Sequence, residues 1–138
     1  MPVKLTKDQA LALGRPVSIN VEESQKLPAG QKCACQVNSG MFVKHNPGSL
    51  YCLGFVAGSR EEYEPHAWVK LNNTYIECSP QDGVGHKYIL VKELTYNDML
   101  QAVRNAGIDD RKGFIPPLLD ASANFVFLEP DEDANLAK

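Results

Sequence analysis

The stretch Pro65–Pro80, PHAWVKLNNTYIECSP, decides how the rest of the chain is read. HAWVKL alternates with the period of a half-buried strand. Asn72-Asn73 makes a tight turn, TYIEC is the return strand, and Ser79-Pro80 ends it. With the turn at Asn72-Asn73, position 66 faces a position near 79. Glu77 is then a diagonal neighbour of His66, at roughly 7–8 Å between backbones and within reach of a glutamate side chain. A slip of one residue in register would alter this pairing. The hairpin thus sets a histidine and an acid close together beside Trp68, the chain's one tryptophan.

Working outward, SLYCLGFVAG is a nearly continuous apolar run of strand length, closed by Gly58-Ser59. REEYE reads as a charged loop between it and the hairpin, QDGVGH as a loop after it, and KYILVKEL as a further strand. Three or four strands with short connections imply an antiparallel sheet. Helices flank this block. TKDQALAL has Thr6 as its cap and Gly14 at its end, and Pro16 then forces a break. NVEESQKLPAG has Asn20 as cap, acids in its first turn, and Pro28 to Gly30 as its stop. CACQVNSGMFVKHNPG is a helix beginning near the cysteine pair, with Cys35, Ser39, Phe42 and Val43 on one side and Asn46-Pro47-Gly48 as terminator. Thr95 to Asp98 reads as a capping box for YNDMLQAVRNAG, with Met99, Leu100 and Val103 inward and Gly107 as C-cap. GFIPPLLDASANFVFLEP is irregular apart from a short strand at NFVFL. The order helices, sheet, helix predicts an α+β fold. One domain is expected over residues 1–130, with 131–138 as a disordered acidic tail.

The bulk numbers fit that reading. The chain has 138 residues, 43% hydrophobic and 22% charged, with a net charge of -3. This is enough for one core without staples. No run of Lys and Arg makes a phosphate-binding face, so no nucleic-acid partner is expected. No apolar run approaches the ~20 residues that span a bilayer, so no membrane association is expected either. MPVKLTKDQALALGRP has no apolar run of signal-peptide type, and the expected compartment is the cytoplasm. There the four cysteines, Cys33, Cys35, Cys52 and Cys78, are expected to be reduced.

A thiol is a strong nucleophile only as thiolate, a form that a helix N-terminus and an adjacent imidazolium both favour. The imidazole in turn needs a third group to hold its ring and tautomer. The chain supplies all three in order: Cys35 or Cys33 opening a helix, His66 beginning a strand, and Glu77 near the end of the next.

Here the chain resembles a known family. HAWVKLNNTYIE is similar to the His-Ala-Trp-Val element of the transglutaminase-like superfamily, within the papain-like cysteine fold. In that family the His strand is followed by a turn and a strand ending in an acid, often before a proline. Glu77 stands at the acid's place, where the family usually has aspartate. Upstream, the family's central helix starts with a cysteine, has a small residue four positions on, and is followed by an aryl-Val-x-Gly strand. Cys35 with Ser39 and GFVAG match this, whereas Cys33 would put Val37 at the small-residue place. The resemblance covers about residues 28–82 and implies a central Cys-bearing helix packed on an antiparallel sheet.

The resemblance implies acyl transfer through a thioester. Cys35 would be the nucleophile, with Cys33 as the alternative; His66 would be the base and Glu77 its orienter. The Cys35 N–H and Gln31 would hold the oxyanion, and Trp68 would wall the site. The acceptor, water or an amine, decides between protease, deamidase and transglutaminase. A protein or peptide substrate is implied, and no cofactor or metal.

Rival readings stand beside this one. Cys52, inside the apolar strand, reads as a core residue. Cys78 points to the face opposite Glu77 and reads as structural. His45 and His86 read as surface residues. The four cysteines with His66 could ligate zinc, although one Cys-x-Cys and two isolated strand cysteines match structural zinc sites poorly. A third reading is a binding or accessory protein that keeps the fold without the chemistry.

Overall fold

In the computed structural model, residues 4–26, 35–57, 62–78, 86–108 and 116–127 are described. The first helix, α1 (Lys7–Leu13), starts at Thr6, whose side chain accepts from the Gln9 N–H while Gln9 reaches back to the Thr6 N–H. A short strand follows, β1 (Arg15–Val17), and then α2 (Val21–Gln25), capped by Asn20. Next come α3 (Cys35–His45), β2 (Leu50–Ala57), β3 (Tyr63–Leu71), β4 (Thr74–Ile76) and β5 (Lys87–Leu94). The last elements are α4 (Tyr96–Asn105), with the Thr95–Asp98 capping box in place, and a hairpin of β6 (Leu118–Leu119) and β7 (Phe125–Val126). The chain is an α+β protein built on an antiparallel sheet, in strand order β1-β5-β2-β3-β4.

The β3–β4 turn is the one the sequence announces. Asn72 and Asn73 have φ of 53° and 63°, the left-handed pair of a tight hairpin that asparagine tolerates. Val69 pairs with Ile76 and Leu71 with Thr74, the register that the turn position demands. The pairing ends at Ile76, so Glu77 and Cys78 continue the chain beyond the last rung.

The sheet is curled, and one segment shows how. β1 pairs with β5 at one edge of the sheet. Two residues further on, Ile19 bridges to Tyr75 of β4 at the opposite edge, and the Asn20 N–H donates to the Tyr75 carbonyl at 2.8 Å. The curl separates the core into two clusters by strand alternation. Tyr51, Leu53, Phe55, Ala67, Val69 and Ile89 point outward, to α3, α4 and β6, with Val43, Met99 and Leu119 among them. Cys52, Trp68, Tyr88 and Leu90 fill the inside of the curl, with Val17, Ile19 and Tyr75 against them. Gly54 lies on β2 between these inner rings. A Cβ there would run into the Ile89 carbonyl and come within 3.0 Å of Trp68 Cη2, so the position must stay bare.

The structure corrects several expectations at element level. Pro16 does not simply end a helix. It sits in β1, an edge strand whose outer side needs no N–H donor, and pairs with Ile89. The charged REEYE segment is not all loop, because Tyr63 and Glu64 already pair with Ala57 and Val56. Tyr63 is further held by two backbone hydrogen bonds to Leu5, each 2.8 Å. Leu118–Leu119 forms a strand in the region read as irregular. In α4, Met99 and Val103 are buried as expected, while Leu100 is only half-buried. The stop at Pro28 to Gly30, the strand end at Gly58-Ser59, the loop QDGVG and the tail 131–138 lie outside the described residues.

Candidate functional site

Three elements converge at one end of the curl. α3 places Cys35 in its first turn, where the N–H groups of a helix lack internal partners and its dipole is positive. The helix packs mainly on β3, with Ser39 and Val43 buried against the sheet as its spacing predicts. β3 places His66 opposite the bare Gly54 of β2. The segment leaving β4 brings Glu77 back beside it. Ser24 of α2 holds this segment: its hydroxyl accepts the Glu77 N–H at 2.9 Å. Ser24 Oγ itself donates to the Asn20 carbonyl at 2.6 Å.

The geometry is that of a connected chain of polar groups. His66 Nε2 and Glu77 Oε1 are 2.7 Å apart, and both side chains are buried, at 7% and 6% exposure. Cys35, at the helix terminus, also hydrogen-bonds to the His66 side chain. The Cys35 thiol is half-buried, and it also lies 3.6 Å from Gln36 Oε1 as a donor. Trp68 is fully buried and stacks on the imidazole, with centroids 6.1 Å apart and planes at 24°. Its indole N–H has no hydrogen-bond partner among the described residues. Trp68 is thus both a wall beside His66 and the centre of the inner cluster.

The electrostatics follow from this enclosure. Burial alone would push the imidazole toward its neutral form. The charges of Cys35 and then Glu77, with hydrogen bonds to both, outweigh it and raise His66 from 6.5 to about 10. The ring therefore favours the imidazolium form at neutral pH when the thiol is ionised. The other described thiols are different in kind. Burial, and secondarily the nearby Glu77 charge, pushes Cys78 up to about 12, with the Ser39 hydroxyl acting the other way. Burial, then Glu93, raises Cys52 well above the ordinary thiol range. Both are inert packing groups: Cys52 inside the curl and Cys78 in the outer cluster, on the face away from Glu77.

Of the residues singled out in the sequence, Cys35, His66, Glu77 and Trp68 meet at this site. Gln31 and Cys33 lie outside the described residues. His45 is exposed and His86 half-buried. Among the described residues no group of three or more His, Cys, Asp or Glu side chains is arranged to hold a metal ion.

Three contacts were not anticipated. Gln36 is 3% exposed beside the thiol, Ser24 pins the Glu77 main chain, and Tyr88 donates its O–H to Glu77 Oε1 at 2.6 Å. Ser24 and Tyr88 are 53 and 11 residues from Glu77, and neither lies on the hairpin. Only the curl, and the placing of β5 next to β2, brings them in.

Comparison with known proteins gives no match, whether to a family model, a curated protein or a solved structure. The fold defines an α+β domain with a curled antiparallel sheet, and its chemistry rests on the site's own atoms.

Proposed function

We propose that the protein is a cysteine-dependent acyl-transfer enzyme of the transglutaminase-like, papain-like type. A protein or peptide amide is its substrate. The observation that carries this reading is the hydrogen-bonded series Cys35, His66, Glu77, with the thiol in the first turn of a helix and the base on a facing sheet.

Cys35 Sγ attacks the carbonyl carbon and forms a C–S bond, and the carbonyl oxygen takes up the negative charge. The Cys35 backbone N–H, at the helix terminus, faces that oxyanion, and Gln31 is the second donor of the proposal. As the tetrahedral centre collapses, the C–N bond breaks and His66 gives its proton to the departing amine. Water or an amine then loses a proton to His66, attacks the thioester and releases Cys35. Glu77 keeps the imidazole ring in plane and stabilises its charged form throughout.

Two measurements test this. Iodoacetamide labelling at pH 6, mapped by mass spectrometry, is expected to modify Cys35 first. His66→Ala should slow that labelling by about ten-fold or more. Equal labelling of Cys35 in wild type and His66→Ala overturns the activated thiol. Glutamine-containing peptide pools, with and without a primary amine, read out hydrolysis, deamidation or amine incorporation. Cys35→Ala and His66→Ala should each lower turnover by roughly a thousand-fold or more, and activity retained in either variant sinks the mechanism.

A further inference from the structure

The family acid to which Glu77 corresponds is usually an aspartate, so this chain sets a longer, more mobile carboxylate in the same task. We propose that Tyr88 is the positioning residue that makes this glutamate serviceable: its phenol fixes the Glu77 carboxylate and so keeps the shared proton on His66. This rests on reading Cys35, His66 and Glu77 as a working triad.

The geometry is specific. Tyr88 O–H and His66 Nε2 both meet Oε1 of Glu77, at 2.6 and 2.7 Å. One carboxylate oxygen has lone pairs for two donors, and the short O···O distance is that of a charge-assisted bond. Tyr88 is 5% exposed, so water cannot readily replace it. Its ring is locked edge-on against Trp68, with centroids 5.1 Å apart and planes at 75°, and lies 6.0 Å from the His66 ring. Trp68 in turn stacks on His66. A side chain at Gly54, opposite His66 on β2, would press on Trp68.

Main chain and side chain of Glu77 are therefore held separately. Ser24 holds the N–H beyond the end of β4, and Tyr88 holds the carboxylate. A phenol O–H held on the same oxygen stabilises negative charge beside the imidazole and so favours the imidazolium. Among the described residues, the titratable groups bonded to this carboxylate are His66 from β3 and Tyr88 from β5, while Cys78 on the opposite face feels only its charge. Cys35 of α3 acts on His66.

The experiment uses Tyr88→Phe, which keeps the ring and its stacking and removes only the hydroxyl. The His66 titration is followed by ring-nitrogen NMR, and Cys35 alkylation is followed against pH. The His66 midpoint is expected to fall by about one unit, and Cys35 alkylation at pH 6 to slow about ten-fold, with the melting curve showing a folded chain. In a Glu77→Gln background the same Tyr88→Phe change is expected to have little further effect, since its route through the carboxylate charge is gone. An unchanged His66 midpoint in Tyr88→Phe overturns the proposal, and so does an undiminished effect in the Glu77→Gln background. A wild-type Cys35 whose alkylation ignores His66 would instead defeat the enzymatic reading, and the His66 midpoint would still report on Tyr88 by itself.

Discussion

The two faces of the curled sheet are made from the same strands and differ in what they bury. The outer face puts Leu53, Phe55, Ala67 and Val69 against α3, α4 and β6, and its energy is that of apolar packing. The inner face buries Trp68, Tyr88 and Leu90, but at one end of the curl it also buries an imidazole and a carboxylate. A buried ion pair is weak evidence for stability, because desolvation opposes the attraction between its members. Folding alone therefore does not account for the polar end, whereas the outer face needs no other reason. Perturbation of the outer face should depend on volume and be indifferent to pH; perturbation of the polar end should depend on charge.

The largest effect is expected on the outer face. Phe55 is fully buried, and Phe55→Ala should cost about 3–5 kcal/mol in denaturant unfolding. The cost should be the same at pH 6.5 and pH 9, and a clear pH dependence would show that the two faces are not independent. Next in size is the pH dependence of the wild type. The folded chain holds His66 raised from 6.5 to about 10, so its contribution is complete below pH 6.5 and is lost as pH rises through about 10. Stability should fall between pH 6.5 and 9 with a limiting slope of about 1.4 kcal/mol per pH unit for this one proton. Above pH 9 the buried Cys52 and Cys78 add to the decline, because the folded chain keeps them protonated. His66→Gln should flatten the 6.5–9 range, and a slope unchanged in that variant would place its origin elsewhere.

The same contrast explains what could be read in advance. The outer face is written in local pattern: the cap at Thr6, the capping box at Thr95, the Asn72-Asn73 turn, and the apolar run of β2 each act within a few residues. The His66–Glu77 contact was legible for the same reason, since a two-residue turn fixes the register of a hairpin. The rest of the polar end was not. Tyr88 looks like any strand aromatic until β5 is known to lie beside β2, and Ser24 like any helix serine until the chain after Ile19 crosses to β4. β1 was missed because a proline reads as a break, and only an edge position reconciles it with pairing. Contacts set by closing the sheet leave no periodic trace in the sequence.

The smallest expected effect is the most discriminating. Glu77→Gln keeps the length of the side chain and an oxygen that can accept from both His66 and Tyr88 at the present Oε1 position. What it removes is charge. If the polar end were only a packed hydrogen-bond network, the substitution would be nearly silent at every pH. If the carboxylate charge matters, the loss should be about 1 kcal/mol where His66 is protonated and should shrink as pH rises toward 10, where the imidazole becomes neutral. Unfolding curves of the variant and wild type at pH 6 and pH 11, on either side of that value, make the comparison. A loss equal at both would assign the His66–Glu77 contact to packing and place it with the outer face; a loss confined to the lower pH marks the imidazolium–carboxylate pair as the feature that sets the inner face apart.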